Sequence, residues 1–123
     1  METRTATSIF ESLSSGWRLE AFRLLVRRSP DGMVAGDIAS ALDLAPSSLS
    51  FHLKALAHAG MVTVEQEGRF QRYRANIPLM LDLIAYLTEE CCAGNPASCI
   101  DLLAASSCSA EVVKAMAPKP DKP

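Results

Sequence analysis

Four cysteines are the most reactive side chains of this 123-residue sequence, and all of them lie in one stretch toward its C-terminal end. Cys91 and Cys92 are adjacent, Cys99 follows seven positions later, and Cys108 lies further on. Thiolates bind soft metal ions, and three thiolates at this spacing can surround one such ion. Residues 1–8 are polar and do not resemble a secretory leader, so we expect reduced thiols rather than disulfides. The clustering predicts a binding site.

The thiols can meet only if the helix that precedes them ends. A continuous helix would separate Cys91 from Cys99 by about 12 Å, at roughly 1.5 Å per residue, whereas metal–sulfur bonds are about 2.3 Å long. Residues 94–96, Gly-Asn-Pro, provide a turn that would fold Cys99 back toward the pair. We therefore predict that Cys91, Cys92 and Cys99 hold one ion, with Cys108 available as a fourth ligand.

The elements that must position this site follow from the spacing of apolar residues. Helical spacing predicts helices over about 5–14, 17–28, 35–42 and 46–59, and a last helix from Pro78. Between 61 and 75 the pattern changes to two short strands joined across Glu67-Gly68. The predicted fold is mostly α with a β-hairpin wing, in the order α-α-α-α-β-β-α. This is the order of a winged helix-turn-helix.

The fourth predicted helix has two different faces. Leu49, Leu53 and Leu56 form an apolar stripe, and the opposite face carries hydroxyl groups, a cation and an aromatic ring. Such groups suit phosphate oxygens, base edges and thymine methyl groups. The alternative is that the serines only begin the helix and that the aromatic residue is exposed by chance. We predict these DNA-contacting residues in the helix: Ser47, Ser48, Ser50, Phe51 and Lys54.

The predicted wing is rich in arginine. A short cationic β-ribbon beside a recognition helix can bind phosphates or enter a minor groove, although three arginines alone can also be an ordinary solvated face. We predict that Arg69, Arg72 and Arg74 bind DNA, with Arg69 at the turn as the best candidate. His52 lies nearer the apolar flank of the fourth helix, so we expect it to be packed rather than to contact bases.

These segments resemble a known family. Residues 35–62, AGDIASALDLAPSSLSFHLKALAHAGMV, and the following EGRFQRYRANIP are similar to the ArsR/SmtB family of metal-responsive repressors. The upstream RLEAFRLLV is similar to that family's second helix, and the resemblance covers about residues 5–90. It implies a winged-helix homodimer whose first and last helices form the dimer interface. Such a dimer represses its operator, a double-stranded DNA site, until an inducer binds.

The familiar inducer sites of the family are absent from this sequence, and the cysteines are the remaining candidates. One familiar site of the family has two cysteines in the third helix, but residues 34–38 contain none here. Another binds zinc through Asp, His and Glu ligands in the last helix, but the two histidines of this chain lie outside that helix. The C-terminal thiols resemble the Cys-Cys…Cys site of arsenite-responsive members, and three thiolates suit As(III) or Sb(III). The alternatives are another soft metal, a methylated trivalent arsenical held by Cys91 and Cys92 alone, or a thiol-oxidation sensor.

Charge and length limit the other functions. The net charge is −2: residues 1–77 carry 9 basic and 8 acidic side chains, and residues 78–123 carry 3 and 6. This balance argues against a general nucleic-acid coat and requires a few well-placed cations. The longest apolar stretch, 79–87, is too short to span a membrane, so we expect a soluble, cytoplasmic protein.

No cysteine is followed by a phosphate-cradling loop, and no paired acid and base is evident, so we expect neither an enzyme nor a cofactor. We predict a DNA-binding and dimerisation domain over residues 1–91. The inducer-binding segment and a flexible tail would then occupy residues 92–123.

Overall fold

The computed structural model describes residues 1–89 of the chain. The predicted sulfur ligands Cys91, Cys92, Cys99 and Cys108, and the predicted domain boundary after residue 91, lie outside the described residues. A first compact unit comprises Met1–Leu79, and a second begins at Met80. In chain order the elements are α1 (Thr3–Ser12), α2 (Gly16–Arg27), β1 (Met33–Val34), α3 (Ala35–Leu42), α4 (Pro46–His58), β2 (Val62–Glu67), β3 (Phe70–Ala75) and α5 (Ile77–Leu87).

The predicted winged helix-turn-helix is confirmed. Each predicted helix is present with ends that differ by at most a few residues, and the hairpin turns at Gly68-Arg69 rather than at Glu67-Gly68. The additional strand is β1, which pairs antiparallel with β3 and makes a three-stranded sheet in the order β1-β3-β2. A strand of two residues has no measurable period, and its pairing with β3 depends on residues about 40 positions away. Apolar spacing therefore did not predict it.

The core of the first unit is built by the apolar stripes of four helices. The stripe predicted for α4 is buried, since Leu49, Leu53 and Leu56 are each at most 1% exposed. Ile9 of α1, Leu25 and Ile38 are fully buried as well. Burying one such side chain contributes about 1.5–3 kcal/mol. This stripe fixes which face of α4 remains outside.

The ends of α4 are set by local backbone chemistry. Pro46 occupies the first turn, where its missing N–H group removes no helical hydrogen bond. At the other end Gly60 adopts φ +82°, its N–H donates to Ala57 O at 3.0 Å, and Met61 N–H donates to Leu56 O at 3.0 Å. These two bonds are the Schellman arrangement that ends a helix. Strand β2 therefore begins immediately beyond α4.

Candidate nucleic-acid interface

The outward face of α4 exposes the residues predicted to contact DNA. Ser47, Ser48, Ser50, Phe51 and Lys54 are all exposed. The sequence of α4, PSSLSFHLKALAH, contains no aspartate or glutamate. Ala45, the residue before the helix, forms no side-chain capping hydrogen bond. The N–H groups in the first turn of α4 are therefore available to an anion such as a phosphate. The outward face of α4 therefore presents hydroxyl groups and one cation, with no acidic side chain beside them.

Phe51 is the most exposed large apolar side chain of the described residues, at 69%. Its ring meets the ring of His52 edge-on, with centroids 5.8 Å apart and an interplanar angle of 70°. His52 is half-buried, and its Nδ1 atom is buried with no hydrogen-bond partner in the described part of the chain. The burial agrees with a packed His52. The half-buried imidazole therefore provides an edge against which the exposed phenyl ring rests.

Two of the three wing arginines are engaged inside the wing. Arg74 Nη1 lies 2.8 Å from Glu65 Oε1, and Arg72 Nε lies 2.8 Å from Glu67 Oε2. The hydrogen bond and charge of Arg74 lower the pKa of Glu65 below its ordinary value. The hydrogen bond to Glu67 raises the pKa of Arg72. Both cations are therefore paired across the hairpin, and DNA would compete with carboxylates for them.

Arg72 also attaches the wing to the loop that follows α2. Its Nη1 donates to the carbonyl oxygens of Asp31 and Gly32, each at 3.4 Å. Gly32 has φ +72°, and a Cβ atom there would overlap Tyr73 O. Only glycine permits this close approach of the loop to β3. The geometry gives Arg72 an intramolecular role that its position in the sequence did not indicate.

Arg69 differs from the other two arginines because it lies at the tip of the hairpin. The turn is closed by Gln66 Nε2, which donates to Gly68 O at 2.8 Å. Arg69 is exposed, and it forms no hydrogen bond or ion pair with any residue between 1 and 89. Its neighbour Phe70 is 62% exposed. Among the predicted wing contacts, Arg69 is the cation free to meet a phosphate.

Asn76 connects two helices, a role that the sequence pattern did not predict. Its Nδ2 donates to Gly60 O at 2.8 Å, and its backbone N–H donates to Met61 O at 2.8 Å, so it holds the C-terminal end of α4. Its Oδ1 accepts from Leu79 N–H at 3.2 Å in the first turn of α5. An asparagine just before Ile-Pro is a helix-start signal. No local sequence signal predicts the hydrogen bond between Asn76 and Gly60.

No group of three or more His, Cys, Asp or Glu side chains within residues 1–89 is placed to hold a metal ion. In the same residues, no helix has the length and apolar character needed to cross a membrane.

The comparisons agree with the observed fold. A family profile described as a helix-turn-helix domain matches residues 13–65, which include α2, α3 and α4. No curated protein matches the chain. An ArsR-like transcriptional regulator from Rhodococcus sp. RHA1 has a TM-score of 0.64 at 24% identity, with 85% of this chain and 96% of that chain covered.

Two further solved structures are similar. HlyU from Vibrio cholerae N16961 has a TM-score of 0.57 at 25% identity, covering 71% of this chain and 97% of that chain. A homodimeric winged helix-turn-helix DNA-binding domain from Mycobacterium bovis, described as a possible ArsR-family regulator, has a TM-score of 0.56 at 24% identity, covering 72% and 82%. The chain thus shares its winged helix-turn-helix fold with regulators of this kind.

Proposed function

We infer that this chain is a DNA-binding protein, because it carries a helix-turn-helix domain in the fold of ArsR-family winged-helix regulators. From this premise we propose that it is a transcriptional repressor of the ArsR/SmtB type that binds operator DNA in the cytoplasm as a homodimer. The observation that carries the proposal is the exposed, acid-free face of α4, with Arg69 on the adjoining wing, a cation that no residue among 1–89 pairs with. Hydroxyl groups and cations in this arrangement suit base edges and phosphates.

The homodimer is supported by apolar side chains at the start of the chain. Phe10 and Trp17 are each 47% exposed and Leu19 is 41% exposed, although all three are large and apolar. A second copy of the chain would cover these side chains. The resulting dimer would present two α4 helices to DNA, one from each copy. Dimeric readers of this kind bind half-sites one helical turn apart on DNA.

Selection of duplexes from a random pool by the full-length protein tests the proposal. We expect enrichment of an inverted repeat. Lys54→Ala should weaken binding to that repeat and reduce the salt dependence by about one phosphate contact. The matched control is Arg23→Ala, which removes an exposed cation from α2 that lies 3.8 Å from Glu20. Failure to enrich any duplex, or equal losses in both variants, contradicts the proposal.

We further propose that As(III) or Sb(III) is the inducer and that Cys91, Cys92 and Cys99 bind it. The support is the spacing of the thiols, the turn-forming residues 94–96 and the preference of soft ions for sulfur. The ion would draw the segment after α5 together and change the distance or angle between the two copies of α4. Because half-sites have a fixed spacing, a small change of this kind lowers operator affinity.

Arsenite titration against the protein–operator complex, under reducing conditions, tests the inducer. Release is expected for the wild type and for Cys108→Ser, and it should be lost in Cys91→Ser, Cys92→Ser and Cys99→Ser. X-ray absorption of the loaded protein should find sulfur neighbours around arsenic. Retained operator binding at saturating arsenite contradicts this assignment, and release by peroxide alone would identify a thiol-oxidation sensor instead.

A further inference from the structure

Phe51 is an apolar side chain at a solvent-exposed position of α4, where hydration would favour a polar residue. It is 69% exposed on α4, and its neighbours on that face are Ser47, Ser50 and Lys54, which are exposed as well. The phenyl ring cannot donate or accept an ordinary hydrogen bond, so it gains nothing from a phosphate oxygen. Its edge contact with the half-buried His52 ring restrains it on the helix surface. A restrained ring loses little conformational entropy when a partner covers it.

The chemistry of the major groove offers one partner for such a ring. Base edges there display hydrogen-bond donors and acceptors, and the C5-methyl group of thymine is the apolar group among them. Aromatic and other apolar side chains contact this methyl group. A protein partner is less compatible with the surroundings, because the acid-free helix, its serines and Lys54 match a polyanion.

We propose that Phe51 is a specificity-determining residue that selects thymine at one major-groove position of each half-site by covering its methyl group. This inference rests on the proposed function, since it requires that α4 lies in the major groove. It assigns Phe51 the discrimination between bases, whereas Lys54 and Arg69 supply affinity for any sequence.

The test uses the full-length protein and the duplex enriched by selection from a random pool. Each thymine is replaced singly by deoxyuridine, which removes the methyl group and preserves base pairing. We expect one position per half-site at which the wild type loses about fourfold in affinity, the contribution expected for burial of one methyl group. Phe51→Ala should bind the thymine and deoxyuridine duplexes equally well, and Phe51→Leu should recover part of the preference.

The matched control is Phe70→Ala, which removes an aromatic ring that is 62% exposed on the wing rather than on α4. It should keep the full deoxyuridine effect at that position. Circular dichroism should show unchanged folding for both alanine variants, because both rings are exposed. If the wild type is indifferent to deoxyuridine at every position, or if Phe51→Ala keeps the preference, the inference is wrong and the proposed repressor still stands. If no duplex is enriched, the proposed function itself fails.

Discussion

At the scale of single residues, the wing contains three arginines, of which two are paired with carboxylates of the wing. Arg72 and Arg74 are held by Glu67 and Glu65 at 2.8 Å, whereas Arg69 is unpaired within the described chain. The cost of breaking an intramolecular pair reduces what a paired arginine can contribute to DNA binding. The cluster of arginines was readable from the sequence. Their pairing was not, because it depends on the register of β2 against β3.

Replacement of Arg69 by alanine should weaken operator binding similarly for all duplex sequences and lower the salt slope by about one. The urea midpoint of unfolding should not change, because Arg69 is exposed at the hairpin tip. The matched control is Arg74→Ala, for which a smaller loss of affinity is expected because Glu65 already neutralises that cation. Fluorescence anisotropy at several salt concentrations measures both. Equal losses would show that the ion pair opens on DNA.

Tyr73 should make the stability of the fold depend on pH under alkaline conditions. Burial raises the pKa of Tyr73 above its ordinary value of about 10. In the unfolded chain the phenol ionises near pH 10, whereas in the folded chain it keeps its proton to higher pH. The stabilisation is therefore complete below about pH 10 and decreases as pH rises through the folded pKa. Urea midpoints between pH 8 and 11 should fall less in Tyr73→Phe than in the wild type or in Tyr86→Phe.

At the scale of elements, Asn76 joins the two helices that the proposed regulation requires to communicate. The three hydrogen bonds from this residue reach Gly60, Met61 and Leu79, so the end of α4 and the beginning of α5 meet at one side chain. The helices themselves were predictable, because their apolar residues recur at helical spacing and Pro46 and Gly60 mark the ends of α4. The connection between them was not, since it brings together residues 16 positions apart.

Asn76→Ala should lower the free energy of unfolding by about 1–2 kcal/mol, because it removes a helix cap and a hydrogen bond to a backbone carbonyl. Asn76→Asp keeps an oxygen that can accept from Leu79 N–H and loses the amide donor to Gly60 O. Because the second carboxylate oxygen of Asp would then face the carbonyl oxygen of Gly60 and repel it, we expect a loss of stability at least as large as for Asn76→Ala, together with a weaker response of operator binding to inducer. Urea denaturation and inducer titration measure the two effects. Wild-type behaviour of both variants would remove Asn76 from the coupling.

At the scale of the whole molecule, the proposed repressor needs a second copy to present two recognition helices. A formal charge of −2 offers little general attraction to DNA, so affinity must come from paired contacts at two half-sites. The sequence was sufficient to predict the winged helix-turn-helix, because the order of elements is readable from local patterns. The exposed side chains Phe10, Trp17 and Leu19 became apparent only in the structure, since surface exposure depends on how helices pack.

Trp17→Glu should shift the protein from dimer to monomer, because a carboxylate placed among apolar contacts loses its hydration. Operator affinity should fall with it, since each monomer reaches one half-site. The control is Val64→Glu, which places the same charge at a side chain of β2 that is 44% exposed. Sedimentation velocity at several protein concentrations should show a dimer for the control. A dimeric Trp17→Glu variant would place the interface elsewhere.

The hydrogen bond from Asn76 to Gly60 also sets an expected limit on how sharply a gene under the proposed repressor could be switched. A hydrogen bond of this kind contributes about 0.5–1.5 kcal/mol net, which corresponds to about 2- to 13-fold in an equilibrium constant. If an inducer acts by breaking the bond between Asn76 and Gly60 in both copies, the ratio of uninduced to induced affinity is about 5- to 150-fold. Such a dynamic range gives graded expression with measurable leakage rather than a nearly complete on–off response.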